Sequence, residues 1–323
     1  MKSILTLTMN PTIDVGASVM HVYSEHKLRC QSVRNDPGGG GINVSRAIKK
    51  LGGESKAVYF CGGPTGQMLR TLLDKEELDH HPIVTEGWTR QDVTISEIAT
   101  GQQYRFIMPG PCLSEGDCKF VLEMLAAQEP FPDFLVASGS LPPGAPIDFY
   151  GRLAHLVEEN GGRMIVDTSG HALVEAVQAG VYLIKPSLSE LHLFSKLSLE
   201  HESDQEEVAL RIVHEYGCQA VVASLGPSGI LLATEEGCVR MRSPHVPVRS
   251  KVGAGDSMVA GITLALARDY SVEEAVRFGV AAGAAAVMNA GTDLCRREDT
   301  ERHYDRMAKT AAKTELASTA FGA

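Results

Sequence analysis

The sequence predicts an α/β fold: a three-layer α/β/α sandwich around a mostly parallel sheet, with a small antiparallel β lid. Three observations predict it. Short, continuous apolar runs rich in β-branched residues recur along the 323-residue chain, as strands covered on both faces do. Amphipathic stretches of helical period separate them. Glycine and proline punctuate the junctions, and strand–helix alternation of this kind builds parallel sheets with helices on both faces.

In chain order, the strand candidates are SILTLTM (Ser3 to Met9), KAVYF (Lys56 to Phe60), FLVAS (Phe134 to Ser138), RMIVD (Arg163 to Asp167), YLIKP (Tyr182 to Pro186) and QAVVASLG (Gln219 to Gly226). NVSRAIKKLG, TGQMLRTLLDKEEL, IDFYGRLAHLVEENGG and DQEEVALRIVHEYG read as helices, several ending at the glycine that commonly stops one. Two segments break the alternation. Residues 14–34 carry no helical pattern. Residues 89–108 alternate on both sides of ATGQ, as a hairpin turning near Gly101 does. Together they predict the lid, inserted in two pieces into one domain spanning residues 1–308. Residues 309–323, rich in Ala, Thr and Lys, read as a mobile tail.

The bulk numbers exclude several classes. A net charge of −10 argues against a nucleic-acid partner. Seven cysteines without a C-x-x-C pair argue for a reducing compartment and against a disulfide framework or zinc site. The N-terminus reads as a strand rather than a signal peptide. The longest apolar run, Phe278 to Met288, is too short to span a membrane. A cytoplasmic protein without a membrane partner is expected. No G-x-x-x-x-G-K-[ST] occurs, which excludes a P-loop, and no dinucleotide-binding glycine fingerprint follows a strand.

Chemistry concentrates at two glycine turns. In KVGAGDSMVAG, the backbone N–H groups of Gly253, Ala254 and Gly255 can converge on one anion at a helix start. Asp256 is unsuited to holding phosphate, but suited to deprotonating a hydroxyl that attacks it. A helix-capping acid is the competing reading. In DPGGGGINVSRAI, a four-glycine run that includes Gly39 precedes Asn43, and Asp14 follows the first strand. These residues suit a polyol at the carboxyl end of a sheet, with Ser140 of SGSLPPG beside them. Lys27, Arg29, Arg90 and Arg105 put four cations on the lid segments of an acidic chain, which points to an anionic substrate group. In IKPSLSEL, Glu190 can position a hydrated Mg²⁺ or simply favour a helix N-terminus. The glycine turn of SLGPSG can admit a nucleotide.

With NPTID, GPTG, SGSLPPG, KPSLSEL and SLGPSG falling between or around the two turns, the chain resembles the ribokinase-like (PfkB) sugar kinases over residues 1 to 308. GGGGINVSRAIKKLGG is similar to that family's first signature and KVGAGDSMVAG to its second. Within the family, HKLRC, WTRQ, QYRFIMPG and RFGVAAGAAAVMNAGTDLC resemble the 6-phosphofructokinase branch. Relatives acting on fructose 1-phosphate or tagatose 6-phosphate usually carry lysine at the position of Gly40.

The resemblance implies ATP-dependent phosphorylation of fructose 6-phosphate, with those two sugars as alternatives and a non-catalytic sugar-phosphate sensor as the rival from another class. It implies Asp256 as general base, and Gly253, Ala254 and Gly255 as the anion hole. Asp14, Gly39, Asn43 and Ser140 would hold the sugar, and Lys27, Arg29, Arg90 and Arg105 its phosphate. Lys185, Ser187, Ser224, Leu225, Gly226, Pro227, Ser228 and Gly229 would line the ATP site, with Glu190 toward Mg²⁺. Ser250, Val252, Ala286, Asn289, Gly291 and Asp293 would form a monovalent-cation loop for K⁺. The lid would make a homodimer. One departure stands out: the family's Asn-x-x-Glu is Ser187-Leu188-Ser189-Glu190 here.

Overall fold

The computed structural model describes residues 1–195, 197–289 and 291–321, residues 311–321 as backbone alone. The chain enters through β1 (Ile4–Thr8), leaves the main sheet for β2 (Thr12–Val19) and β3 (Gln31–Gly38), and returns along α1 (Gly40–Lys50) to β4 (Lys56–Cys61). Helix α2 (Gly63–Lys75) leads to β5 (His80–Val84), before a second excursion into β6 (Arg90–Glu97) and β7 (Gln103–Phe106). Then α3 (Glu115–Ala126), β8 (Phe134–Ser138), α4 (Phe149–Glu159), β9 (Arg163–Asp167), α5 (Gly170–Gln178) and β10 (Leu183–Ile184) alternate. A single-turn α6 (Leu188–Leu191), α7 (Glu202–Tyr216), β11 (Ala220–Ser224) and the hairpin β12 (Ile230–Thr234) and β13 (Gly237–Met241) follow. Helices α8 (Ala254–Ala267), α9 (Val272–Val287) and α10 (Arg297–Phe321) close the fold.

The main sheet orders nine strands as β13-β12-β11-β10-β9-β8-β1-β4-β5. The seven from β11 to β5 run parallel, and the β12–β13 hairpin adds an antiparallel edge. Strand β8 shows why both faces are covered. Leu135 and Ala137 enter the core cluster shared with α3, α4, α5 and α7, whereas Phe134 and Val136 face the cluster built with α1, α8 and α9. With side chains alternating between faces and both faces buried, the strand must be apolar throughout.

The lid orders β3-β2-β6-β7; its outer pairs are antiparallel, and β2 and β6 run parallel between them. The hairpin turns at Gly101, whose φ is +72°. One part of the sequence reading needs correction: β5 and the β12–β13 hairpin are additional strands. In the expected tail from residue 309 the backbone is helical, as α10 continues to Phe321; alanine-rich composition favours helix over coil. Residues 322 and 323 lie outside the described residues.

Candidate active site

Parallel strands place their carboxyl ends together, and α8 starts beside them. Gly253, in the left-handed region at φ +74°, caps α8, and among the described residues no side-chain cap bond closes the helix start. The first N–H inside the turn to find a backbone partner is that of Ser257, which donates to Gly253 O at 2.9 Å. The N–H groups of Ala254, Gly255 and Asp256 thus lack intrahelical acceptors and carry the positive end of the helix dipole. Asp256 is the third helical residue, not the cap. Its Oδ2 accepts instead from Nδ2 of Asn43, on α1, at 2.9 Å. Burial pushes the Asp256 carboxyl up to about 6, with Asp167 and Asp14 adding repulsion; the Asn43 bond and Lys185 pull the other way. That value suits a group taking up a proton near neutral pH.

The four-glycine run is explained mainly by the protein's own strands. A Cβ at Gly38 would sit 2.3 Å from Asp14 Oδ2, one at Gly40 2.2 Å from Ser138 Oγ, and one at Gly41 2.5 Å from the Leu7 carbonyl. Gly39 takes φ +111° and caps α1. The run therefore lets α1 start against the ends of β1 and β8, with Asp14 lying on its backbone. Burial, then the charge of Asp92, raises Asp14 to about 6; Arg105, Arg90 and Arg46 oppose them. Ser140 is exposed beyond β8 and accepts from Nδ2 of Asn10 at 3.2 Å.

The four lid cations differ. Arg90 is committed to the protein: Nη1 donates to Asp92 Oδ1 and the Met108 carbonyl, and Nη2 to the Asn10 carbonyl. It clamps the lid base, leaving its buried Nε without a partner in the described protein. Arg105 is exposed on β7, within electrostatic reach of Asp14. Lys27 and Arg29 are exposed on the loop between β2 and β3 rather than on a strand.

Lys185, whose charge also acts on Asp256, is paired with Asp167 at 3.1 Å. Burial disfavours its charge, but Asp167 outweighs burial and holds the ammonium above its ordinary value. Its Nζ comes within 3.5 Å of the point a Gly255 Cβ would occupy. Lys185, Ser224, Gly226, Pro227 and Gly229 line a pocket of about 430 Å³ that ends on Ala254 and Gly255. Leu225 and Ser228 form the turn itself, with Leu225 N–H donating to Gly229 O at 2.9 Å. The opposite wall was not anticipated: it comes from the loop Ser243 to Val248 and from Val280, Gly283, Ala284 and Val287 of α9. The prolines of RSPHVPV and the small residues of α9 were the available signals.

Ser187 and Glu190 form a reciprocal capping box on α6: Glu190 Oε2 accepts from Ser187 N–H at 2.7 Å and from Ser187 Oγ at 2.8 Å. The loops carrying the expected cation ligands also meet. Ser250 Oγ donates to Gly291 O at 2.7 Å and accepts from Val252 N–H at 3.2 Å. Asn289 N–H donates to Ala286 O, and the Asp293 carboxylate accepts from Arg34 at 2.8 Å. Among the described residues each of these two carbonyls accepts a single hydrogen bond in the loops, and a carbonyl has a second lone pair of the kind a carbonyl-held monovalent cation uses.

Residues 7–299 match the model of the pfkB family carbohydrate kinases. The chain is 42% identical to the ATP-dependent 6-phosphofructokinase isozyme 2 of Escherichia coli, over 96% of this chain and 100% of that one. It is 32% identical to the 1-phosphofructokinase of Bacillus subtilis, over 88% of this chain and 93% of that one. Its fold superposes on the crystal structure of E. coli phosphofructokinase-2 in complex with potassium with a TM-score of 0.91, at 41% identity, covering 95% of this chain and 100% of that one.

Proposed function

The chain belongs to the pfkB family of carbohydrate kinases, and from that premise we propose that it phosphorylates fructose 6-phosphate with ATP, giving fructose 1,6-bisphosphate. The observation that carries the reading is the place of Asp256: under the open N–H groups of α8, between the Asp14–Asn43 side and the Lys185 pocket. The sugar's free primary hydroxyl lies against Asp256, which takes its proton as the oxygen attacks the terminal phosphorus of ATP. The bond from that phosphorus to the bridging oxygen breaks, and its electron pair leaves with ADP. N–H groups at the helix start hold the charge on the transferring group. Positioning and electrostatics do most of the work.

Three further assignments support this reading. The greater identity to a 6-phosphofructokinase than to a 1-phosphofructokinase favours the 6-phosphate. So does Gly40, where a side chain would strike Ser138. Mg²⁺, bound with the nucleotide, would neutralise phosphate charge; Glu190, whose Oε2 is held by Ser187, would be the carboxylate that helps hold it. K⁺ would be held by the carbonyls of the loops at Ser250 to Val252 and Ala286 to Asp293, steadying the start of α8.

The lid exposes Val33, Phe106 and Ile107, each more than half accessible, with Trp88 exposed just before β6. Exposed apolar side chains on an open-edged sheet support a homodimer through the lid, tested by light scattering before and after Phe106→Lys.

An ADP-release assay with fructose 6-phosphate, tagatose 6-phosphate and fructose 1-phosphate tests the activity. Highest kcat/KM on fructose 6-phosphate is expected. Preference for another sugar changes the substrate, and absence of sugar-dependent ADP overturns the kinase reading. Asp256→Asn should bind sugar phosphate but lose most of kcat; near-normal turnover would remove Asp256 from its role.

A further inference from the structure

Arg46 lies one turn beyond Asn43 on α1 and is only 4% exposed. A buried guanidinium requires partners, and Arg46 has them. Its Nε and Nη2 form a bidentate pair with Glu76, just past α2, at 2.7 and 2.6 Å. Its Nη1 donates to the Pro37 carbonyl at 2.9 Å and to Asn43 Oδ1 at 3.2 Å. The other end of the same amide, Nδ2 of Asn43, donates to Asp256. A continuous chain, Glu76–Arg46–Asn43–Asp256, thus runs from a partly exposed carboxylate to the centre of the site.

The chemistry of this chain allows one polarity. An asparagine amide can turn over, exchanging its donor and acceptor ends, but arginine carries only donors. With the amide reversed, its NH₂ would face the guanidinium and its oxygen would face the Asp256 carboxylate, unfavourable at both ends. Arg46 therefore selects the orientation that gives Asp256 a donor. The same Nη1 holds the Pro37 carbonyl at the mouth of the glycine run, so one side chain fixes both the backbone and the amide beside the reacting hydroxyl.

We propose that Arg46, oriented by Glu76, is a positioning residue for the proton acceptor: it locks the Asn43 amide with its donor toward Asp256. The proposal rests on the reading of Asp256 as the base. The charged groups acting on Asp256 from its other sides are Asp167, Lys185 and Asp14. Arg46 also acts on Asp14, so loss of its charge favours protonation of Asp14, whereas loss of the Asn43 bond favours protonation of Asp256. A lysine cannot span the Glu76 fork, the Pro37 carbonyl and Asn43 together.

The test is a double-mutant cycle on the full chain: Arg46→Lys, Asn43→Ala and the pair. It follows kcat against pH, KM for both substrates, and thermal melting. We expect Arg46→Lys to lower kcat about tenfold and to move its acid limb to higher pH, with KM for ATP unchanged. In the Asn43→Ala background the same change should cost little more, because the group it acts through has gone. Should Arg46→Lys not fold, Glu76→Gln at the outer end of the chain carries the same cycle. Losses that multiply, or an acid limb that stays in place, would reduce Arg46 to a strut between α1 and the end of α2. An inactive Asp256→Asn beside multiplying losses overturns this proposal alone. An active Asp256→Asn overturns its premise as well.

Discussion

Asn43 and Asp256, 213 residues apart in sequence, meet at 2.9 Å between the first turns of α1 and α8. Each helix follows a glycine turn, and the contact brings the two turns into a single site. It also sets the electrostatics of the site, because the amide partly offsets burial and the neighbouring carboxylates.

The first consequence is the pH dependence of turnover. As the proposed base, Asp256 would accept a proton only when ionised, so kcat should fall as pH drops through about 6. Asp14 is among the charges that raise Asp256. Asp14→Asn, assayed at saturating sugar, should therefore move the limb to lower pH. A limb near the ordinary aspartate value in the parent protein would contradict the burial argument.

Stability should run opposite to activity at this residue. Asp256 has a folded value of about 6 against 3.8 for the ordinary side chain. Its contribution is fully present below 3.8 and is lost as pH rises through 6. Asp256→Asn removes the cost of a buried charge. Its melting temperature should exceed the parent's by roughly 2–5 °C at pH 8, and the two should converge near pH 4. A less stable variant at pH 8 would mean that the folded protein stabilises the carboxylate.

The glycines before α1 make separable predictions. At Gly38, a Cβ displaces Asp14; Gly38→Ala should raise the sugar KM with little change in KM for ATP. At Gly40, a Cβ meets Ser138 Oγ at 2.2 Å and the Gly139 nitrogen at 2.8 Å. Two elements must part, so Gly40→Ala should cost on the order of 1–3 kcal/mol, read from denaturant midpoints. Indifference at both positions would return the run to a ligand-contacting role.

The parts of this architecture that were legible in sequence carry a pattern or a chemical group. β8 and β9 have the limits their apolar runs indicate, because strands buried on both faces announce themselves. β5 did not: HHPIV mixes two histidines and a proline on a half-exposed edge. Asp256, Asn43 and Asp14 stood out beside glycines. The α9 wall of the Lys185 pocket did not, since Val280, Gly283 and Ala284 carry no polar side chain to mark them. Arg46 was visible at i+3 from Asn43, yet its partner Glu76 comes from beyond another helix, a pairing that only the folded chain displays.

Ser187 gives a fourth prediction. As cap of α6 it accepts from Glu190 N–H, and its own N–H and Oγ–H donate to Glu190. Asparagine caps as well as serine. Ser187→Asn should keep the turn and leave or lower KM for MgATP, and a large rise would show that the serine is itself needed. Ser187→Ala loses the cap and frees Glu190, so KM for MgATP should rise.

The last prediction concerns which pocket takes the nucleotide. Ala284 lies on α9, facing the space of about 430 Å³ that ends at Ala254 and Gly255. A base seated between α9 and the Ser243 to Val248 loop would aim its phosphates along the pocket toward the open N–H groups of α8. A larger side chain at Ala284 enters that space and leaves the Asp14 side untouched. Ala284→Phe should raise KM for ATP about tenfold or more, the scale expected when a bulky ring takes volume from a fitted pocket. Sugar-phosphate binding, measured by calorimetry without nucleotide, should be unchanged. If KM for ATP holds while the variant folds, the base lies elsewhere, and the phosphates must approach Asp256 from another side.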